Sequence, residues 1–190
     1  MYDLILKNIS KHITLTETEK KLFTSFLTVK KLRKRQYLLQ AGDVCKVESF
    51  VNKGLLRAFS ADDQGAERIV MFAPEDWWVS DLYSLLSETP STLHIEALED
   101  SEVICIEKSN LEKIYTEIPK FERFMRIAFQ NAFVSQQRRI ISAMSQTAEE
   151  RYLAFIEKYP AIQQRVPQVM IASYLGVTPE TLSRIRRTVR

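Results

Sequence analysis

Apolar and polar positions along the chain change rhythm three times. Thr16-Glu17-Thr18-Glu19 has capping-box spacing and opens a short helix whose apolar face includes Leu22, Phe23 and Phe26. From about Val29 the period shortens. Apolar or alternating runs (Ser49-Phe50-Val51, Leu55 to Phe59, Arg68 to Phe72, Leu93 to Ala97, Val103 to Ile106) are separated by turn signals at Ala41-Gly42-Asp43, Asn52-Lys53-Gly54 and Asp62-Asp63-Gln64-Gly65. Many short strands at this spacing predict a sandwich or barrel over residues 29–107, not alternating β-α-β units. At Ser109-Asn110-Leu111-Glu112 a second capping box predicts a short helix that stops before Pro119.

A long helical pattern then covers 119–146. Phe121, Met125, Ala128 and Ala132 form one stripe, Phe124, Phe129 and Phe133 lie beside it, and Ile140, Ile141 and Met144 resume the seam after a polar stretch. Such a helix would span about 42 Å, more than a small barrel needs for cover. It predicts packing on its own domain and on a partner; one long core helix of a monomer is the alternative. Thr147-Ala148-Glu149-Glu150 is a third capping box, which puts a domain boundary near Gln146. The next helix carries Tyr152, Leu153, Phe155, Ile156 and Tyr159 and ends at Pro160.

The stretch Gln168 to Arg187 is the most specific. A short helix turns Ile171, Ala172 and Leu175 inward, Gly176 takes a sharp turn, and Val177 plugs the angle. Thr178 can cap a second helix with Pro179 at its first position, and Leu182 and Ile185 are spaced to face the first. This is a helix-turn-helix pattern, with an αα-hairpin bearing a basic end as the plainer alternative. Glu180, Ser183, Arg184 and Arg187 then face outward. Arg184 suits a bidentate pair to guanine and Glu180 suits cytosine N4, while Thr181, Arg186 and Arg190 suit phosphates. Glu180 and Arg184, four apart, could instead pair with each other.

Composition sharpens this picture mainly by exclusion. The chain has 190 residues, 45% apolar and 27% charged, with two cysteines and two histidines. No apolar run reaches the roughly 20 residues of a membrane span, and the N-terminus lacks a secretory signal. Cys45 and Cys105 make no disulfide framework, and so few Cys and His leave no metal or Fe–S site. A cupin-type metal enzyme or a Ser-His-Asp site is excluded on the same grounds, so no catalysis is expected. The reading is of a cytoplasmic protein without a membrane partner. The net charge of +3 is uneven: residues 160–190 carry five arginines, Arg165 among them, against Glu180 alone. A basic tail on a nearly neutral body points to an anionic partner at the C-terminus.

Barrel, long helix and helix-turn-helix in this order resemble the Crp/Fnr family of bacterial transcription regulators, most specifically over Ile171 to Ile185. In that family the recognition helix commonly carries Glu-Thr-x-x-x-Arg; here Glu180-Thr181 and Arg184 fit with a shift, and Pro179 stands where arginine is frequent. The resemblance implies an α+β protein: a double-stranded β-helix (jelly-roll-like) barrel at 1–118, a dimerisation helix at 119–146 and an all-α helix-turn-helix domain at 147–190. The chain stops six residues after Arg184, short of the family's hairpin wing. The resemblance further implies a homodimer on two-fold operators of double-stranded DNA, read through Thr178, Glu180, Thr181, Ser183, Arg184, Arg186 and Arg187, with RNA polymerase as a further partner. An effector would bias how the two long helices cross.

The family's cyclic-nucleotide pocket uses a Gly-Glu pair and a later Arg-Ser/Thr-Ala. This chain has Ser80-Asp81 and Ser91-Thr92-Leu93 there, without the arginine that would neutralise the phosphate. The usual binding of cAMP is therefore not expected. Trp78, Ser80, Asp81, Tyr83, Ser91 and Thr92 are candidates for a pocket taking another small effector, or none; plain packing of Trp77, Trp78 and Tyr83 is the alternative. A ligand-binding or interaction module whose helix-turn-helix no longer binds DNA is the competing function.

Overall fold

A computed structural model describes residues 1–189. The chain opens with α1 (Asp3–Ser10), which buries Ile5 and Ile9. In α2 (Glu17–Ser25) the expected box forms: Thr16 Oγ1 accepts from Glu19 N–H at 3.2 Å, and Glu19 Oε2 accepts from Thr16 N–H at 2.7 Å.

Eight strands follow, interrupted once by α3 (Leu82–Ser87). They are β1 (Leu27–Leu32), β2 (Tyr37–Leu39), β3 (Val47–Lys53), β4 (Leu56–Ala61), β5 (Glu67–Ala73), β6 (Trp78–Val79), β7 (His94–Ala97) and β8 (Ser101–Glu107). Of the sandwich and barrel forms expected, the open, two-sheet form is found. The strands form two separate antiparallel sheets, β1-β8-β3-β6 and β2-β7-β4-β5, which do not close on each other. The two-residue alternation gives each sheet two working faces. Leu32, Val51, Leu56, Ala58, Ile95, Val103 and Cys105 fill the space between the sheets.

Each outer face has its own cover. Phe50, Ile104 and Ile106 of the first sheet pack under α1, α2, α4 (Lys108–Glu117) and the start of α5 (Lys120–Ser145). Helix α4 starts differently from expectation. Its N-cap is Glu107, with no side-chain cap, so Ser109 lies within the first turn. Strand β8 runs straight into it, and Lys108 N–H donates to Lys46 O at 3.0 Å. The outer face of the second sheet is covered by α6 (Ala148–Lys158), α7 (Ile162–Arg165), α8 (Gln168–Leu175) and α9 (Pro179–Thr188).

A β-bulge makes that second cover fit. Ala58 pairs with Met71 but Phe59 with Ile69, so Val70 is skipped. The extra residue lets Ile69 and Phe72, three apart, both join the cluster with Phe155 and Ile171.

Long helix α5 splits its apolar residues. Phe121, Phe124 and Met125 are buried on the first sheet. Phe133, Ile140 and Met144 are 70%, 62% and 83% exposed, so the second part of the helix keeps apolar surface that the chain does not cover.

Gly54, between β3 and β4, has φ +95°, and a Cβ there would lie 2.2 Å from Ser101 Oγ and 2.8 Å from Ser101 Cα. Gly54→Ala should cost about 2–4 kcal/mol, combining left-handed backbone strain with overpacking. Urea unfolding reads this directly, and an unchanged midpoint would remove Gly54 from the determinants of the β3–β4 connection.

Candidate nucleic-acid interface

The α8–turn–α9 unit assembles from short-range interactions. Gly176 adopts φ 68° and ψ 35° and ends α8; its N–H donates to Ser173 O, and Val177 N–H to Ala172 O. Thr178 then caps α9, its Oγ1 accepting from Thr181 N–H at 3.2 Å, and Pro179 occupies the first helical position. Leu182 and Ile185 are buried against Ile171, Ala172 and Leu175.

The opposite side of α9 is free. Glu180, Arg184 and Arg187 are exposed, and Thr181, Ser183 and Arg186 are half-buried. Among the described residues, Arg184, Arg186 and Arg187 form no ion pair, and Glu180 does not pair with Arg184. The N-terminal backbone of α9 and the Thr178 hydroxyl hold the Glu180 carboxyl below the usual carboxylate range, so it is charged at neutral pH. Arg190 lies outside the described residues.

Arg165 does not belong to this face, although the sequence counts it in the basic tail. Its guanidinium turns back to the β-sheets, bonding Glu75 at 2.9 and 3.0 Å and Glu99 at 2.5 Å. Burial pushes the Glu75 carboxyl up, but the bonds from Arg165 and backbone N–H groups bring it below its ordinary value. Ser173 makes a second tie: its Oγ accepts from Ile69 N–H at 3.0 Å and donates to Glu67 O at 2.8 Å. Arg139 of α5 makes a third. It donates to Ile69 O at 3.0 Å, to Tyr174 O at 3.1 Å and to the bulge carbonyl of Val70, with its guanidinium 4.2 Å from the Tyr174 ring centroid. Sequence reasoning missed these ties because their partners lie 35 to 106 positions away. The nearest hint to such long-range ion pairing is a charge inside an apolar run. Arg57 stands so in Leu55 to Phe59, and it is buried with Glu96 at 2.7 Å and also bonds Glu67.

The candidate effector residues stand in different surroundings. A cavity of about 670 Å³ opens in the β-sheet part, lined among others by Lys30, Tyr37, Lys46, Ser49 and Ile95. Only Ser80 of the six expected residues lines it. Trp78 faces the helical cover instead, donating Nε1–H to Asn8 at 3.1 Å and lying edge-on to Phe50. Tyr83 is 74% exposed and Thr92 is exposed. Asp81 and Ser91 are buried and engaged with each other: Ser91 Oγ donates to Asp81 at 2.6 Å, and Asp81 also caps α3 through Ser84 N–H. Trp77 packs on Tyr159, 5.5 Å between centroids. Both cysteines are buried and unbridged. Among the described residues no three His, Cys, Asp or Glu converge on a metal position, and no helix is long and apolar enough to cross a membrane.

Two facing β-sheets, a long helix with an uncovered apolar half, and a capped helix-turn-helix define a regulator-type DNA-binding architecture on a cyclic-nucleotide-binding-type β-roll. Comparison with known proteins agrees. Residues 29–117 match the cyclic nucleotide-binding domain family. The fumarate and nitrate reduction regulatory protein of Vibrio cholerae is 25% identical across 96% of this chain and 77% of its own length. The anaerobic regulatory protein of Haemophilus influenzae is 26% identical across 96% and 75%. Among solved structures, FixK2 of Bradyrhizobium japonicum superposes with a TM-score of 0.74 at 20% identity, covering 86% of this chain and 84% of that one. The c-di-GMP-responsive regulator CLP of Xanthomonas campestris gives 0.74 at 11%, covering 92% and 91%. The chain thus carries a cyclic nucleotide-binding domain at residues 29–117 and is similar over most of its length to transcription regulators of the Crp/Fnr type.

Glu48, missed in the sequence, is buried on β3 and accepts a hydrogen bond from Ser80 Oγ at 2.6 Å; burial pushes its carboxyl up to about 7, with Ser80 pulling the other way. A folded-state value above the ordinary one makes the protonated form the stabilising one. That contribution is complete below the unfolded value and is lost as pH rises through about 7. Glu48→Gln, which keeps the uncharged form at every pH, should therefore match the parent near pH 4 and melt several degrees higher near pH 8. Thermal melts at both pH values decide it: a difference independent of pH would mean that Glu48 does not titrate in this range.

Proposed function

We propose that this regulator reads two-fold symmetric operators in double-stranded DNA as a homodimer, through α9. The observation that carries the reading is the free outer face of α9, where Glu180, Ser183, Arg184 and Arg187 project from a helix fixed by Thr178, Gly176 and the buried Leu182 and Ile185. Such a helix enters the major groove and reads base edges from its N-terminal part. Thr181 and Arg186 serve phosphates, and Thr178 acts chiefly as the cap. In this reading residues 1–118 form the effector-type domain, 119–146 the dimerisation helix and 147–190 the DNA-reading domain, with RNA polymerase as a further partner.

The uncovered half of α5 supports the dimer, because Phe133, Ile140 and Met144 repeat at the seven- and four-residue spacing of a helix–helix seam. The engagement of Asp81 with Ser91, and the lack of an arginine beside Thr92, support an effector domain that does not take cAMP in the family's usual way. An effector of another kind would act by changing how the paired α5 helices cross.

Selection from a random duplex pool by the purified protein tests the reading. Enrichment of a palindrome is the expected result; no enrichment, together with affinity indifferent to salt, would favour a module that has lost DNA binding. On the selected operator, Arg184→Ala should relax preference at one base pair per half-site by about 1–3 kcal/mol. Uniform weakening on all sequences would make Arg184 a phosphate contact instead. Sedimentation equilibrium tests the seam: the parent should be dimeric and Ile140→Glu monomeric, whereas a monomeric parent would return α5 to the role of a core helix.

A further inference from the structure

Strands β1 and β2 are edge strands of different sheets and do not pair with each other. The cavity of about 670 Å³ lies where they part: β1 gives Lys30, β2 gives Tyr37 to Leu39, and the β2–β3 connection, β3, β6 and β7 complete the wall. Its volume is that of a small-molecule site. Asp81, Ser91 and Thr92, which stand where the family's nucleotide pocket has its polar residues, do not line it.

The floor and the mouth differ in chemistry. Leu39, Val79 and Ile95 are buried there and belong to the core between the sheets. Ser49 is buried beside them, bonded to the Cys105 thiol at 3.6 Å, and Cys45 donates its thiol to Val47 O at 3.4 Å. Burial pushes both thiols up, so the floor carries no charge near neutral pH. At the mouth, Lys30 and Lys46 are exposed, and neither forms an ion pair among the described residues. Asp43 is the one acid of the lining, so the mouth keeps a positive balance. Two lysines are flexible point charges, and no arginine lines the cavity to fork onto a buried phosphate. This suits a singly charged head at the solvent edge with an aliphatic body below it.

The wall also has a route outward. Gly42 N–H donates to Ser91 O and Ser91 N–H to Asp43 O, both at 2.8 Å, and Cys45 N–H donates to Ser84 Oγ at 2.9 Å. Ser84 lies in α3, and Ser91 is bonded to Asp81, which caps that helix. A ligand pressing on the β2–β3 connection therefore presses on α3.

We infer that this cavity binds an aliphatic monocarboxylate, its carboxylate between Lys30 and Lys46 and its chain over Leu39, Val79 and Ile95. The inference concerns binding alone and does not rest on the reading of DNA by α9.

The test is isothermal titration calorimetry of the full chain with decanoate below its micelle concentration, with acetate as the head alone and 1-decanol as the body alone. Decanoate should saturate one site per chain, and each partial ligand should bind about tenfold or more weakly, as expected when the ion contacts or the apolar burial are removed. Heat capacity should fall on binding of decanoate, the mark of apolar burial. Lys30→Gln with Lys46→Gln should weaken decanoate by a similar factor, while Lys158→Gln, outside the β-roll, should leave it unchanged. Melting temperature and far-UV circular dichroism check that the variants fold; both lysines are exposed, and the single Lys46→Gln replaces the double variant if it does not fold. Excess cyclic AMP should not displace decanoate. The inference is overturned by a parent that does not saturate, by 1-decanol or acetate binding as tightly as decanoate, by equal binding to parent and lysine variant, or by loss in Lys158→Gln alone. Displacement by cyclic AMP would overturn it too, moving the ligand to the nucleotide-type pocket.

Discussion

The outer face of the β4–β5 side of the molecule has no helix of its own. Leu55, Phe59, Ile69 and Phe72 are buried because α6 to α9 sit on them, and Phe155, Ile171 and Leu175 are buried for the same reason in reverse. At about 1.5–3 kcal/mol for each fully buried apolar side chain, neither surface is stable bare in water. The helix-turn-helix is therefore seated on the β-roll through a shared core. Any change in the seating must move a well-packed interface as a unit.

Apolar contact is non-directional and does not by itself fix where α8 stops along β5. Polar ties do that. The bulge at Val70 disturbs the β4–β5 ladder, and Arg139 brings α5 to the carbonyls there while also holding Tyr174 O of α8. Ser173 both accepts from and donates to β5, and Arg165 closes the far end on Glu75 and Glu99. Surface ion pairs contribute little in general, but bidentate geometry to Glu75 with a second carboxylate at Glu99 fixes a register. The same long helix that leaves an apolar seam exposed is thereby bound to both halves of its own chain.

What the sequence disclosed divides along the same line. The helix-turn-helix was legible nearly residue by residue, because Gly176, Thr178, Pro179, Leu182 and Ile185 act within one or two helical turns. The boxes at Thr16 and Thr147 were legible for that reason too. Ser109 misled because its box was judged without knowing that β8 runs straight into α4. Helix α1 gave little signal, with two buried residues and no side-chain cap. The six expected effector residues are divided by the way they face. Trp78 and Ser80 lie close in sequence, yet Trp78 packs under the helices while Ser80 reaches the cavity. Arg165 read as part of a basic tail because net charge carries no direction.

The split character of α5 follows from these constraints. Its first turns supply Phe121, Phe124 and Met125 to a core shared with α1, α2 and the first sheet, so that end is fixed in the β-roll. Its last turns carry Arg139, which is fixed to β5 and α8. Between and beyond these anchors, Phe133, Ile140 and Met144 have no cover in the chain, and each carries an apolar burial worth about 1.5–3 kcal/mol that only another surface can supply. A helix held at both ends to the same chain cannot turn this seam inward without breaking one anchor. The seam therefore stays outside, and in the proposed dimer two-fold pairing would bury both seams with one set of contacts.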